Sequence, residues 1–408
     1  MNQRHLNASL ITAAASVLLA ITMGSRSSFG LFVSPLNSAT GLGLAAISFA
    51  AAVSQLVWGA AQPAVGALAD RHGTARVIAI GGLLLALSSA LVPWADGAAA
   101  LVLVLAISAA AGAAVGSNAL LLGVVSRHVP AERRGLATGL VGAGGSAGQL
   151  LLAPATQGMI AATGWVIAMF ALSALALAAL PLSRAFRQGA APAPAPAEAA
   201  GAGVREALGS RSFWLIVGGF FVCGFHVSFL VTHMPGAIEL CGLPAVLAGQ
   251  WLAVVGFCNI VGSIVAGAVI QRASMSRTLS VLYALRAIGV AAFLVAPKTE
   301  RTLLAFGVWM GLTYMATLPP TSGLVARLFG VRHLATLLGV VMFAHQVGAF
   351  LGVWLGGVAL ETTGSLDGIW WTDIALAVLA AAINLFIREA APAHRFTPVA
   401  VAFSRSLR

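Results

Sequence analysis

A few side chains sit inside long apolar runs, where a polar group needs a reason to be. Arg26 follows seventeen mostly apolar residues, and Arg286 lies in the middle of another apolar stretch. His226 and His233 are seven residues apart and so share one helix face, and His345 is followed by Gln346. Asn118, Asn259 and Tyr314 are embedded in the same way. An arginine held away from water is suited to gripping a carboxylate through two parallel N–H···O bonds. Histidine is the side chain whose charge changes near neutral pH, so it can pass protons. Asn and Tyr add neutral donors. The combined chemistry is capture of a small anion, with protons as a candidate second cargo. Each residue also has a purely structural reading. Arg26 could snorkel to an interface, Arg286 could brace carbonyls of a neighbouring helix, and the histidines and amides could be hydrogen-bonded between helices.

The elements that must carry these groups follow from composition. The chain has 408 residues, 60% of them hydrophobic and 8% charged, with mean hydropathy +0.97. Soluble domains carry about 25% charged residues. An ordinary soluble enzyme, a secreted module and a disordered chain are therefore excluded. The net charge of +11 comes from residues scattered between apolar runs, which does not make a nucleic-acid groove. Cys223, Cys241 and Cys258 show neither C-x-x-C nor zinc spacing, so no disulfide framework, metal or cofactor is expected. The first apolar stretch, residues 8–36, exceeds the ~7–15 residues of a signal-peptide core and reads as a membrane span.

A bilayer core needs about 20 apolar helical residues. On that ruler the chain divides into twelve spans: 9–34, 44–69, 77–94, 98–126, 136–160, 165–183, 212–234, 244–270, 278–297, 302–325, 335–360 and 370–388. With the N-terminus inside, eighteen of the 22 basic residues fall in inner segments and only Lys298 and Arg301 in outer loops. This is the positive-inside asymmetry and predicts both termini in the cytoplasm. Residues 184–211, with Ala-Pro-Ala-Pro-Ala-Pro at 191–196, read as an extended linker. They separate an N-terminal half, 1–183, from a C-terminal half, 212–390, followed by a tail, 391–408. Gly66-Ala-Leu-Ala-Asp-Arg71 recurs as Gly267-Ala-Val-Ile-Gln-Arg272, and Leu136-Ala-Thr138 recurs as Leu334-Ala-Thr336. The matching offsets predict an all-α membrane protein of two pseudo-symmetric six-helix halves.

Depth sharpens the candidates. At 1.5 Å per residue, Arg26 lies ~25 Å from the inner face and Arg286 ~12 Å from it. Span counting puts Asp373 and Glu361 near outer helix ends and leaves no carboxylate in mid-membrane. Pro319-Pro320 should kink span 10. Gly144-Gly-Ser-Ala-Gly148 satisfies the hydrolase pattern G-x-S-x-G, but it sits in a Gly/Ala-rich helix rather than a strand-to-helix turn and reads as a close-packing surface. Scattered histidines without a nucleophile–base pair make no enzyme.

Gly66-x-x-x-Asp70-Arg71-x-Gly73-x-x-Arg76, placed between spans 2 and 3, resembles the signature of the major facilitator superfamily. Within it the chain is similar to bacterial relatives of the monocarboxylate transporters. The strings that carry this are Arg26-Ser-Ser-Phe-Gly-Leu-Phe-Val-Ser-Pro-Leu36, Cys223-Gly-Phe-His226 with His233-Met-Pro235, Asn259-Ile-Val-Gly262 and His345-Gln-Val-Gly-Ala-Phe-Leu-Gly352. The resemblance implies the major facilitator fold, with spans 1, 4, 7 and 10 lining a cavity. Asn118 and Tyr314 then face it, and Arg26 stands on the substrate path. The family's Asp and Arg four residues apart in span 8 are replaced by Asn259 and Ser263. Asp70, Arg71 and Arg76 become a conformational latch, weaker in the second half, where Gln271 stands for the acid. The expectation is secondary transport of a small organic anion, a monocarboxylate above all, with Arg26 holding the carboxylate and Phe29, Phe225 and Phe229 the carbon skeleton. Arg286, His226, His345 and Asn259 are further binding candidates. The transporter is expected to act as a monomer in the inner (plasma) membrane by proton symport or anion exchange. The alternative is efflux of amphiphilic or drug-like compounds, for which an acidic cavity residue is expected and none is seen.

Overall fold

The computed structural model describes residues 3–130, 133–187, 200–330 and 333–389. The regular elements among them are helices: α1 (Gln3–Ser27), α2 (Gly30–Thr40), α3 (Leu44–His72), α4 (Thr74–Leu91), α5 (Ala98–Gly116), α6 (Asn118–His128), α7 (Arg134–Thr163), α8 (Trp165–Ala176), α9 (Ala179–Ser183), α10 (Ala200–Gly209), α11 (Arg211–Leu240), α12 (Val246–Val269), α13 (Met275–Val295), α14 (Glu300–Thr313), α15 (Leu318–Phe329), α16 (Leu334–Thr363) and α17 (Asp367–Leu385), with short 3-10 turns between some of them. Twelve helical stretches are long and apolar enough to cross a membrane, and each overlaps one of the twelve expected spans. Lipid offers backbone groups no partners, so an apolar run of this length must satisfy itself as helix. The Ala-Pro run at 191–196 and the tail 391–408 lie outside the described residues. The described end of the linker forms α10.

The termini of the helices are written locally. Gly73, with φ +89°, ends α3 and begins α4 in a backbone region other residues avoid, which is why the loop motif holds a glycine there. Ser117, Ser274 and Thr299 cap α6, α13 and α14 by accepting from the N–H groups of Leu120, Arg277 and Thr302 at 3.3, 3.3 and 3.2 Å.

The two halves repeat one packing device. In α7, Gly144 and Gly148 lie against the backbone of Ser16 and Ala20 in α1; in α16, Gly348 and Gly352 lie against the backbone of Phe221 and Phe225 in α11. Glycines four residues apart let two helix backbones touch, and dispersion between close-packed helices drives association where lipid removes the hydrophobic incentive. The G-x-S-x-G string is thus a packing stripe, as its helical setting implied. The halves meet where α7 packs on α12 and α3 on α16. On the side away from the arginine-rich loops, α2 also closes on α11, with Gly30 against the carbonyls of Val231 and Thr232. The inner half-helices α6 and α15 make no comparable contact. The molecule is therefore sealed at one end and parted at the other.

Four spans are segmented, span 6 among them by a turn at Leu177–Ala178 between α8 and α9. A tightened turn at Ser28–Phe29 joins α1 to α2. Extended backbone at Ser117 (φ −76°, ψ 143°) separates α5 from α6. Span 10 is interrupted from Tyr314 to Thr317, ahead of the proline pair. The expected kink at Pro319-Pro320 is corrected to a helix start, because proline fits the first turn of a helix, where no partner for its missing N–H is needed.

Candidate functional site

Arg26 leaves the last turn of α1 and is half-buried. Its guanidinium lies over the Trp58 ring, 4.4 Å from the centroid. Nη2 donates to Gln55 Oε1 and reaches Gln346 Oε1 at 3.4 Å. Gln55 and Trp58 are three residues apart on α3 and so share a face. Gln346 comes from α16 in the other half. Among the described residues no Asp or Glu pairs with Arg26. The cation is thus held by two amides and an indole, all uncharged, drawn from both halves.

Two helix breaks flank it. Thr22, one turn before Arg26, donates to the carbonyl of Gly116 at 3.3 Å, where α5 ends. Ser117 then caps α6, and Asn118 is its exposed first residue. The free N–H groups of a helix start carry partial positive charge. From the other half, the Tyr314 phenol stands within electrostatic reach of Arg26. A fork of donors, a helix N-terminus and no carboxylate suit the arrangement to an anion.

The remaining predicted groups form a second cluster in the C-terminal half. Arg286 is fully buried and braces span 10: Nη2 donates to the Thr313 carbonyl at 2.6 Å and to that of Tyr314, and Nε adds a 3.3 Å bond to Thr313. These are carbonyls left over by the helix break, on the neighbouring span 10. Asn259 bonds the same break from the other side, accepting from the Met315 N–H at 3.0 Å while its amide donates to Ser146 Oγ of the N-terminal half at 2.9 Å. Ser263 donates weakly to Asn259 at 3.5 Å. His345 packs beside Phe220, and its ring nitrogens are buried without a hydrogen-bond partner among the described residues. Cys223 contacts Thr317 at 3.3 Å. His226 is committed to Asp373 at 2.6 Å through Nδ1 and to Met310 Sδ at 3.3 Å through Nε2. His233 Nε2 bonds the Val353 carbonyl at 2.7 Å. The expectation that no carboxylate lies in mid-membrane is corrected by the His226–Asp373 pair: Asp373, six residues into α17, is wholly buried and meets His226 midway along α11.

Phe29 packs between α3 and α16, beside Ala51, Ala52 and Val353. Phe225 and Phe229 are buried, Phe229 edge-on to Trp370 at 4.7 Å, and neither offers free surface in this conformation. At the arginine-rich face Asp70 pairs with Arg127 at 3.4 Å, while Arg71 and Arg76 are exposed without a side-chain bond among the described residues. Gln55, Trp58, Ser146 and Asp373 were not singled out as functional. Trp58 could have been found as the only indole of span 2, with Gln55 three residues before it; Asp373 carried no local signal, because its partner lies 147 residues away.

Residues 15–307 match the Major Facilitator Superfamily, and the chain belongs to it. It is a multi-pass membrane transporter with the fold of that family. The chain is similar to the uncharacterized MFS-type transporter YcxA of Bacillus subtilis (24% identical, covering 85% of this chain and 87% of that one). It is also similar to monocarboxylate transporter 11 of Mus musculus (28%; 88% and 82%) and to the oxalate:formate antiporter of Oxalobacter formigenes (26%; 86% and 84%). Among solved structures it resembles the D-xylose–proton symporter, with TM-score 0.72 and 17% identity over 93% of this chain and 98% of that one. A bacterial homologue of the human lysosomal transporter Spinster, inward-facing and unoccupied, gives TM-score 0.71 and 16% identity over 93% and 95%.

Proposed function

We propose that the protein is a secondary transporter of small organic anions, with monocarboxylates as the leading class, working by alternating access in the inner (plasma) membrane with both termini in the cytoplasm, as a monomer. One observation carries this reading: Arg26 is held within the bundle by Gln55, Trp58 and Gln346, and among the described residues no carboxylate pairs with it. An embedded cation is costly and needs a wet cavity or a partner. A substrate carboxylate supplies the missing charge, and because Arg26 draws partners from both halves, its capture bears on how the halves sit. Asn118 and Tyr314 flank the position as donors. Asp70 with Arg127, and the neighbouring Arg71 and Arg76, form the loop that rearranges as the halves rock. The names of two relatives, a monocarboxylate transporter and an oxalate:formate antiporter, favour the same cargo class.

The test is uptake of labelled L-lactate, formate and oxalate by purified protein in liposomes, beside a cationic amphiphile as control. Arg26→Gln should abolish anion uptake with the protein still folded and monodisperse. Transport of the amphiphile alone, or full anion uptake by the variant, would overturn the assignment.

A further inference from the structure

The cluster around Arg286 contains more chemistry than bracing requires. Asp373 in α17 and His226 in α11 form a 2.6 Å pair with side chains 0% and 1% exposed. Burying a carboxylate is costly unless it is fully hydrogen-bonded, yet Asp373 Oδ1 has no partner. His226 Nε2 has only the sulfur of Met310 at 3.3 Å, a weak acceptor. Arg286 Nη1 likewise has no hydrogen-bond partner within geometric reach among the described residues, and Arg286 lies within electrostatic reach of Cys223 and Asp373. The other titratable groups facing the cluster are Cys223 and His233 on α11, Tyr283 on α13, Tyr314 after α14 and His345 on α16.

We propose that the His226–Asp373 pair is a proton-binding site that couples proton movement to the transport cycle. A proton arriving from water on one side adds to Asp373 Oδ1, and the same proton leaves to water on the other side; no other bond is made or broken. Charge explains the coupling. With Asp373 ionised, the embedded groups Arg26, Arg286 and Asp373 sum to one positive charge. An anion at Arg26 cancels it, and a proton on the pair restores it. The carrier loaded with both therefore presents the membrane with the same embedded charge as the empty carrier.

The structural path for communication is short. Arg286 bonds the carbonyls of Thr313 and Tyr314, and the Tyr314 phenol lies within electrostatic reach of Arg26. A change of charge on Asp373 alters the hold of Arg286 on the break in span 10, and so the wall of the anion site. The role in coupling rests on the transport reading above, while the existence of the proton site does not.

Two measurements separate these. Infrared difference spectra of the wild type reconstituted in lipid, taken between about pH 5 and 8, should show a buried carboxyl or imidazole signal that disappears in both Asp373→Asn and His226→Gln. Persistence of the full signal in Asp373→Asn, or its absence from the wild type, overturns the site whatever the cargo. In liposomes, an inward gradient of about two pH units can drive a one-proton symported anion to about hundredfold accumulation. Wild type should accumulate labelled L-lactate, formate or oxalate under that gradient, whereas both variants should lose the accumulation yet still exchange the anion against the same anion inside. Equal proton-driven accumulation by wild type and variants overturns the coupling role. If wild type moves none of these anions while the infrared signal behaves as expected, the anion reading fails and the proton site stands.

Discussion

Arg127 and Arg327 occupy equivalent places, each in the last turn of the inner half of a segmented span, and each is paired with a different acid. Arg127 meets Asp70 of the loop motif at 3.4 Å. In the second half the acid of that motif is replaced by Gln271, and Arg327 turns instead to Glu389, just beyond α17, at 3.1 Å. Glu389 also accepts from Ser274 Oγ and the Ser276 N–H, both at 2.7 Å. The second half therefore places its arginine ion pair on a different acid, which two further hydrogen bonds hold.

The two ion pairs should respond differently to neutralisation. Asp70→Asn removes one long, exposed ion pair and is expected to change stability by no more than about 1 kcal/mol while slowing transport. Glu389→Gln disturbs three bonds at a more enclosed carboxylate and should lower thermal stability further. Melting curves of the two variants side by side check this, and a larger loss in Asp70→Asn would contradict it.

Acid should act through the same carboxylate. Burial tends to raise Glu389, but the Ser276 N–H, the Ser274 hydroxyl and Arg327 outweigh it and hold the group below the usual carboxylate range. A depressed folded value means the contribution is present above the unfolded value of about 4.3 and is lost as pH falls through the lower folded one. The stability difference between wild type and Glu389→Gln, measured by thermal denaturation, should be largest near neutrality and shrink in that acidic window.

An internal carboxylate should compete with the cargo. Gln55→Glu places an acid where Arg26 already finds an amide oxygen. The new pair is charge-assisted and stronger than the bond it replaces. Half-saturation for the transported anion should rise by about tenfold or more, corresponding to about 1.4 kcal/mol of competition. Unchanged concentration dependence of uptake would mean that the anion does not displace the Gln55 contact.

Asn259 ties three spans together, so its effects should not add. A double-mutant cycle of Asn259→Ala with Ser146→Ala isolates the bond between the halves. A coupling of about 0.5–1.5 kcal/mol is expected for one such hydrogen bond. Simple additivity in melting or uptake would show that the bond does not hold the halves in this arrangement.

Glycine substitutions offer a control within a single helix. A Cβ at Gly148 would meet the Ala20 backbone, and one at Gly348 the Phe221 backbone, whereas Gly158 of α7 has open space around it. Gly148→Ala and Gly348→Ala should each destabilise by about 1–3 kcal/mol through overpacking. Gly158→Ala should be neutral or stabilise by up to about 1 kcal/mol, the helix-propensity difference between the two residues.

The spans were legible because lipid enforces a simple rule: an apolar run of sufficient length becomes a helix, and its ends fall at Gly73, Pro297 or Gly364. The break at Ser117 was not, since nothing around it but a serine marks an extended residue inside an apolar run. Pro319-Pro320 announced irregularity in span 10 but not its place. Arg26 stood out because a guanidinium in lipid is conspicuous in any sequence; Gln55 and Trp58 did not, because amides and indoles are ordinary in membrane helices. Asp373 was read from its distance to the helix start, while its burial is decided by how α17 rotates against α11, a tertiary relation with no local sign.

The breaks at Ser117 and at Tyr314–Thr317 have a mechanical consequence. α6 has 11 residues and α15 has 12, each reaching from the middle of the bundle to the arginine-rich face. Each is a short lever with its fulcrum beside Arg26 and its free end carrying Arg127 or Arg327. A small tilt at the fulcrum becomes a displacement of several ångströms at the tip, about 16–18 Å away at 1.5 Å per residue. The unbroken α11, by far the most enclosed of the spans, supplies a fixed post against which such levers can turn. Closing the open end then requires neither half to deform as a whole; two tips swinging toward each other suffice.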